Sequence, residues 1–325
     1  MFSSVIFSVL GDFKRYREAS YLIGGKEVKC KLASLALALR KMEAGVKVTV
    51  CFLAPESLVA LPYMAEGVKE GMELLTSRGK LVERLRESVK EELTGELGFS
   101  PLIRVVQSVG AYPGGNGVLY EFENYPGNIT SQLFLEMLKV IEEAQKHGDV
   151  RVYLDVSTGF NLHLVSTLEA LKALLIYLKL ERVFQPETQR IPFQLIYTPP
   201  IHRTRRKVKI EFQELDVRAF FDLPIKRKAG YDVKTSYIVK LPRDQAEKLG
   251  RSLGETVKTL KKLLHILKIC FNAIKHNTPL ALFDSEVTGV ETPGEILKKV
   301  EKTKDSLLNL FETLKNLEEI KFIAE

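Results

Sequence analysis

Short apolar runs alternate with longer segments of helical period along the first two thirds of the chain. The runs "SVIFSVL" (4–10), "KVTVCFL" (47–53), "LIRVVQSV" (102–109), "VRVYLDV" (150–156) and "FQLIYT" (193–198) are rich in β-branched and aromatic residues and read as strands. Several are apolar at nearly every position, as strands covered on both faces must be. Between them, 29–44, 55–75, 80–93, 129–147 and 162–180 carry the helical patterns, with a break expected near Pro62. This alternation predicts an α/β domain: a Rossmann-like, mostly parallel sheet with helices on both faces.

The texture changes after Pro199 and Pro200. A basic cluster, "HRTRRKVK" (202–209), runs into one alternating strand pattern that ends near 217, and two long helical patterns follow, near 243–276 and 294–318. The expected division lies at 210, with an α/β domain over 1–210 and a mainly helical domain over 211–325. With 325 residues, 45% of them apolar, the chain is long enough for two cores.

Charge and cysteine usage narrow the function classes. The formal net charge is +7, and from residue 206 onward 23 Lys and Arg face 18 Asp and Glu, which favours an anionic partner. Cys30, Cys51 and Cys270 lie far apart without CxxC spacing, so a disulfide framework and a zinc site are both unsupported and a reducing, cytoplasmic setting is expected. The apolar N-terminal run is too short to span a membrane and lacks the features of a signal peptide; no membrane association is expected. There is no HExxH, the five histidines are scattered, and neither a metal nor a cofactor is expected. "IGGKE" (23–27) resembles a phosphate loop, but Ser20 stands at its first glycine position and Glu27 at its Ser/Thr position, which excludes an NTPase.

The candidate chemistry sits at strand ends. In an open parallel sheet, unpaired N–H groups at helix N-termini converge on the crevice beyond the strand C-termini. "FSVLGD" puts Ser8, Gly11 and Asp12 there, and "LDVSTGFN" puts Asp155, Ser157, Thr158, Gly159 and Asn161 at the end of another strand. Glycine permits close backbone approach, and the hydroxyl and amide groups suit phosphate or ribose oxygens. Ser157, Thr158 or Asn161 equally reads as a cap on the helix beginning near Leu162. An acid suits direct phosphate contact poorly, so Asp155 reads as a backbone organiser or a ribose contact. Asn116, in the glycine-rich "AYPGGNGV" (111–118), is a further candidate contact or part of a plain hairpin.

Together, "SVLGD" and "LDVSTGFN" resemble the ligand-binding motifs of the CARF family, the CRISPR-associated Rossmann-fold proteins. The branch most similar to this chain reads Asp-x-Thr-His-Gly at the second motif; here Asp155, Gly159, Phe160 and Asn161 are kept while Ser157 and Thr158 replace Thr-His. The resemblance covers roughly residues 1–210. It implies a homodimer that encloses a cyclic oligoadenylate, most often the four-nucleotide ring, cyclic tetra-adenylate. A twofold ring with several phosphates suits two symmetry-related helix N-termini.

Many CARF proteins carry a HEPN ribonuclease domain marked by an arginine, four to six residues and a histidine. "KICFNAIKHNTP" resembles that pattern at Asn272 and His276, but Ile269, Cys270 and Phe271 occupy the arginine positions. The second domain is therefore expected to be inactive as that ribonuclease. Some CARF proteins without a working effector cleave the ring themselves and switch off type III CRISPR signalling. Such metal-independent ring nucleases need an oriented 2′-hydroxyl and a cation, and release linear products with 2′,3′-cyclic phosphate ends. On this resemblance Ser8 and Lys207 are the expected catalytic groups, with Arg203 and Arg205 as ligand contacts; a solvated linker is the competing reading of that basic cluster. A non-catalytic sensor and a DNA-binding regulator acting through the basic helical domain remain as alternatives.

Overall fold

The computed structural model describes residues 2–95, 98–115, 118–184, 191–199 and 207–215, with separate positions between 251 and 309. The chain divides into two units, Met1–Val217 and Arg218–Glu325. The expected boundary at 210 falls inside the first unit. In the second, every described residue from Arg251 to Asn309 is helical.

The first unit is built on a six-stranded sheet. Its strands are β1 (Phe2–Val9), β4 (Lys47–Pro55), β5 (Leu102–Val106), β8 (Asp149–Asp155), β9 (Phe193–Tyr197) and β11 (Glu211–Glu214), in the order β11-β9-β8-β1-β4-β5. All neighbours are parallel except β11, which runs antiparallel to β9. The five expected strands are present, with ends shifted by up to three residues.

Strand alternation sends side chains to two separate cores. From β1, Val5, Phe7 and Val9 join α4 (Pro126–Gln145) and α5 (Asn161–Phe184) on one face. Ile6 and Leu10 join α1 (Ala33–Glu43), α2 (Val68–Thr76) and α3 (Arg78–Val89) on the other. Ser8 points to the α1 face, between two apolar residues. Each fully buried Phe or Leu here contributes about 1.5–3 kcal/mol of transfer free energy, which fixes strand register firmly.

Several local expectations are corrected. Lys29 and Cys30 begin no helix: they end β3 (Lys26–Cys30), which forms a hairpin with β2 (Ala19–Ile23). The glycines of "IGGKE" make its turn, with φ of +55° at Gly24 and +80° at Gly25, the pairing a tight two-residue hairpin requires. The segment 55–75 is a short 3₁₀ turn over Glu56–Ala60, then an irregular stretch before α2, so Pro62 separates two pieces. β6 (Gly110–Pro113) pairs with β7 (Leu119–Phe122) as a second hairpin, in line with the hairpin reading of the segment that joins them. The single strand expected over 202–217 is instead two, because buried Ile210 separates β10 (Lys207–Lys209), parallel to β2, from β11.

α5 is long and apolar enough, by length and composition, to cross a membrane. Its place in the fold gives a different reason for that composition. It links β8 to the adjacent parallel strand β9, and Ala170, Leu171 and Leu174 are fully buried against the sheet.

Candidate functional site

β1 is the strand from which the chain departs in two directions, to β4 on one side and to β8 on the other. α1 covers one face and α5 the opposite face, so the C-terminal ends of β1 and β8 are the topological switch point of the sheet, the place where open α/β folds bind ligands. Both strand-end motifs lie there. Ser8 is the register partner of Asp155, and the two following loops touch: a Cβ on Gly11 would stand 3.5 Å from Gly159 Cα.

Gly159 holds φ at +113°, which glycine tolerates and other residues resist. The residue is packed against Val9, so the loop after β8 lies directly on the end of β1. α5 begins two residues later.

Asp155 is fully buried and both of its oxygens are engaged. Oδ2 accepts the Ser34 backbone N–H at 2.9 Å, at the first turn of α1, and Oδ1 accepts the Ser157 N–H at 2.9 Å. Burial pushes its carboxyl above the usual range, while the hydrogen bonds around it pull the other way. Asp155 therefore joins α1 to the second motif loop as an organiser. Ser157 extends the brace, its Oγ accepting the Thr198 N–H at 3.1 Å just beyond β9.

Ser8 is buried to 0% exposure, and its Oγ finds no hydrogen-bond partner among the described residues. Asp12 is held twice: the Tyr63 hydroxyl donates to Oδ1 at 2.9 Å, and Arg15 Nε lies 2.7 Å from Oδ2. Arg15 itself is 86% exposed, which places a cation at the rim of the first motif loop. Gly11 donates its N–H to the Tyr16 hydroxyl at 2.7 Å, and Thr158 lies beside that hydroxyl, so Tyr16 spans both motifs. Burial raises the Tyr16 phenol to about 12, which keeps it protonated.

The start of α5 meets the end of β5. His163 is buried with Nε2 3.0 Å from the Gln107 carbonyl; a carbonyl only accepts, so Nε2 carries the proton. Burial lowers its pKa, which favours the neutral ring. Phe160 is half-buried against the α1-side core, with its ring 6.1 Å from Tyr112. Asn161 is exposed at the first turn of α5.

The remaining expected residues are not brought to this switch point. Lys207 lies on the small sheet of β10, β2 and β3, where Nζ pairs with Glu27 at 2.6 Å. Arg203, Arg205, Asn116, Asn272 and His276 lie outside the described residues. Arg15, Tyr16, Ser34 and Tyr63 were missed. The first two stand in "GDFKRYRE" directly after the first motif, where a cation and an aromatic so close to a strand end were the available signal.

Residues 5–197 match the family described as "CRISPR system endoribonuclease Csx1, CARF domain". The chain belongs to that Csx1 CARF family. The match spans the sheet from β1 to β9 and includes both motif loops. CARF domains bind cyclic oligoadenylates, and the chain thus belongs to CRISPR-associated sensing of those molecules. No curated protein matches the chain.

Proposed function

We propose that the protein is a homodimeric receptor for cyclic tetra-adenylate that acts in the cytoplasm during type III CRISPR defence. The observation that carries this reading is the contact between the two motif loops at the switch point, with Gly159 on Val9 and Gly11. One subunit offers a single α5 N-terminus and a single Arg15 rim. A twofold ring of four phosphates has two equivalent halves, which a symmetric pair of such edges matches. α5 leaves Val165 57% exposed one turn beyond Asn161, an apolar contact point near the second motif.

A second reading adds slow, metal-free cleavage of the bound ring. The partnerless Ser8 hydroxyl favours it, because a buried polar group without a hydrogen bond is costly unless a bound group completes it. Against it stand the full burial of Ser8 and the pairing of Lys207 with Glu27. The ribonuclease activity in the family description is not carried over, since the matched residues stop at 197 and His276 lacks its arginine.

Radiolabelled cyclic tetra-adenylate incubated with the full-length protein in EDTA tests both. Retention of an intact ring supports the receptor reading alone. Linear products ending in 2′,3′-cyclic phosphate establish the second, and absence of binding removes both.

A further inference from the structure

Among the described residues, β5 ends the six-stranded sheet on the side away from the motifs. An edge strand carries N–H and C=O groups that face no neighbour, and these form a template for a strand from another chain. Pro55, the register partner of Val106, has no N–H, so that pair is bonded through the groups of Val106. Peptide groups alternate in direction along a strand. The Val105 carbonyl and the Gln107 N–H therefore point away from β4, where a further strand would take them.

Both are already taken, by side chains. The Gln107 N–H donates to Gln132 Oε1 at 2.8 Å, which identifies that atom as the oxygen of the amide. Gln132 Nε2 must then donate, and it does so to the Val105 carbonyl at 3.4 Å. One carboxamide thus offers the edge an acceptor and a donor, as a neighbouring strand would. Arg78 Nη2 donates to the same carbonyl. Gln132 belongs to α4 and Arg78 opens α3, and these helices pack on opposite faces of the sheet, so the edge is closed from both sides. Gln132 is 4% exposed. One turn beyond it, fully buried Glu136 lies 3.7 Å from Arg78 and 3.4 Å from Arg104 of β5, which holds the arginine against the edge. The opposite edge, β11, is only four residues long and is largely exposed, with Gln213 and Glu214 in solvent.

We propose that Gln132 is a strand surrogate that conceals a self-association surface. With its carboxamide in place, β5 has no free pair of groups for β5 of a second copy, and the sheet stops at six strands. Without it, two such edges pair about a twofold axis, which adds a contact separate from the motif loops. The inference is independent of the cyclic-oligoadenylate reading.

The test compares full-length wild type, Gln132→Leu and the double variant carrying Gln132→Leu and Gln107→Pro. Light scattering coupled to size exclusion is run over a range of concentrations, and amide hydrogen exchange is followed at Gln107. The wild-type Gln107 N–H should exchange slowly although it lies on a sheet edge, and rapid exchange there overturns the proposal before any variant is made. Gln132→Leu should speed that exchange about tenfold or more in dilute protein and should grow beyond the wild-type size as concentration rises. Proline has no N–H to offer a new strand, so the double variant should return to the wild-type size. A Gln132→Leu protein that keeps the wild-type size at every concentration overturns the proposal, as does association that persists in the double variant.

Discussion

Gly159 lies so close to Val9 that no side chain fits: a Cβ would stand 2.8 Å from Val9 Cβ and 2.9 Å from its carbonyl oxygen. Part of the obstacle is backbone, which cannot swing aside, and the φ of +113° adds strain for any L side chain. Gly159→Ala should cost about 1–3 kcal/mol in strain alone. In a domain of this size that lowers the melting temperature by about 2–4 °C per kcal/mol. Displacement of the loop should also weaken cyclic tetra-adenylate binding by more than tenfold, measured by calorimetric titration. Unchanged affinity would separate this loop from the ligand.

Ser8→Ala should act in the opposite direction on stability. Its hydroxyl is buried with no described partner, so removing it relieves a desolvation cost and should stabilise by about 1 kcal/mol. The receptor reading expects a higher melting temperature and unchanged ring affinity. A tenfold loss of affinity or of ring cleavage would bring Ser8 into contact with the ligand and favour the second reading.

Asp155→Asn tests the brace between α1 and the second motif. An amide keeps one acceptor oxygen and turns an N–H₂ toward a backbone N–H of Ser34 or Ser157. Leaving one buried donor unsatisfied costs about 1–3 kcal/mol. Thermal melts should show that loss, and hydrogen exchange should rise at whichever of Ser34 and Ser157 faces the new N–H₂. Unchanged exchange at both would show that the carboxylate does not hold the two elements together.

What was readable in the chain divides along burial. The five parallel strands were legible because a strand covered on both faces must be apolar at consecutive positions, as in "SVIFSVL". The hairpin of β2 and β3 was not, since "KEVKC" is largely exposed and charged, and the Gly-Gly-Lys of its turn resembles a phosphate loop. Motif positions such as Gly159 were legible from residue type at a strand end. Their partners were not: Asp155 meets Ser34 across 121 positions, and Gln107 meets Asn124 across 17, and only the folded sheet supplies those pairings. Lys207 is assigned to the site by the family resemblance and its basic run, whereas the strand pairing of β10 with β2 puts it beside Glu27.

Glu56 gives the protein a pH-dependent stability with a definite sign. Burial raises its carboxyl from 4.5 to about 7, opposed by the Ser108 N–H that donates to Oε1 at 3.0 Å. A folded-state value above the unfolded one means the folded protein holds more protons, so stability falls as pH rises from about 4.5 to 7 and stays lowered above that. A shift of this size corresponds to roughly 3 kcal/mol. Gln at 56 keeps the acceptor for Ser108 and does not ionise. Melting curves from pH 4.5 to 8 should therefore show Glu56→Gln gaining on wild type as pH rises. His163 works oppositely, losing stability as pH falls below 6.5, and is common to both proteins. A constant difference between the two across the range would mean that Glu56 ionises in the folded state as it does in water.

Val165 bears on the oligomer. It is 57% exposed and stands four positions after Asn161, so both lie on one face of α5. If that face pairs with its symmetry mate, the interface brings the two Asn161 residues and their motif loops together, and assembly and ligand binding become one event. Val165→Glu would place two like charges across the twofold axis, where desolvation and repulsion both oppose pairing. Light scattering coupled to size exclusion should show the variant as a monomer while its melting temperature at low concentration stays unchanged, because the side chain is mostly in solvent. Affinity for cyclic tetra-adenylate should fall by more than tenfold in the same variant, since half of the cradle is then missing. A dimer that survives the substitution would move the interface off this face, and a monomer that binds the ring with full affinity would show that one subunit is enough.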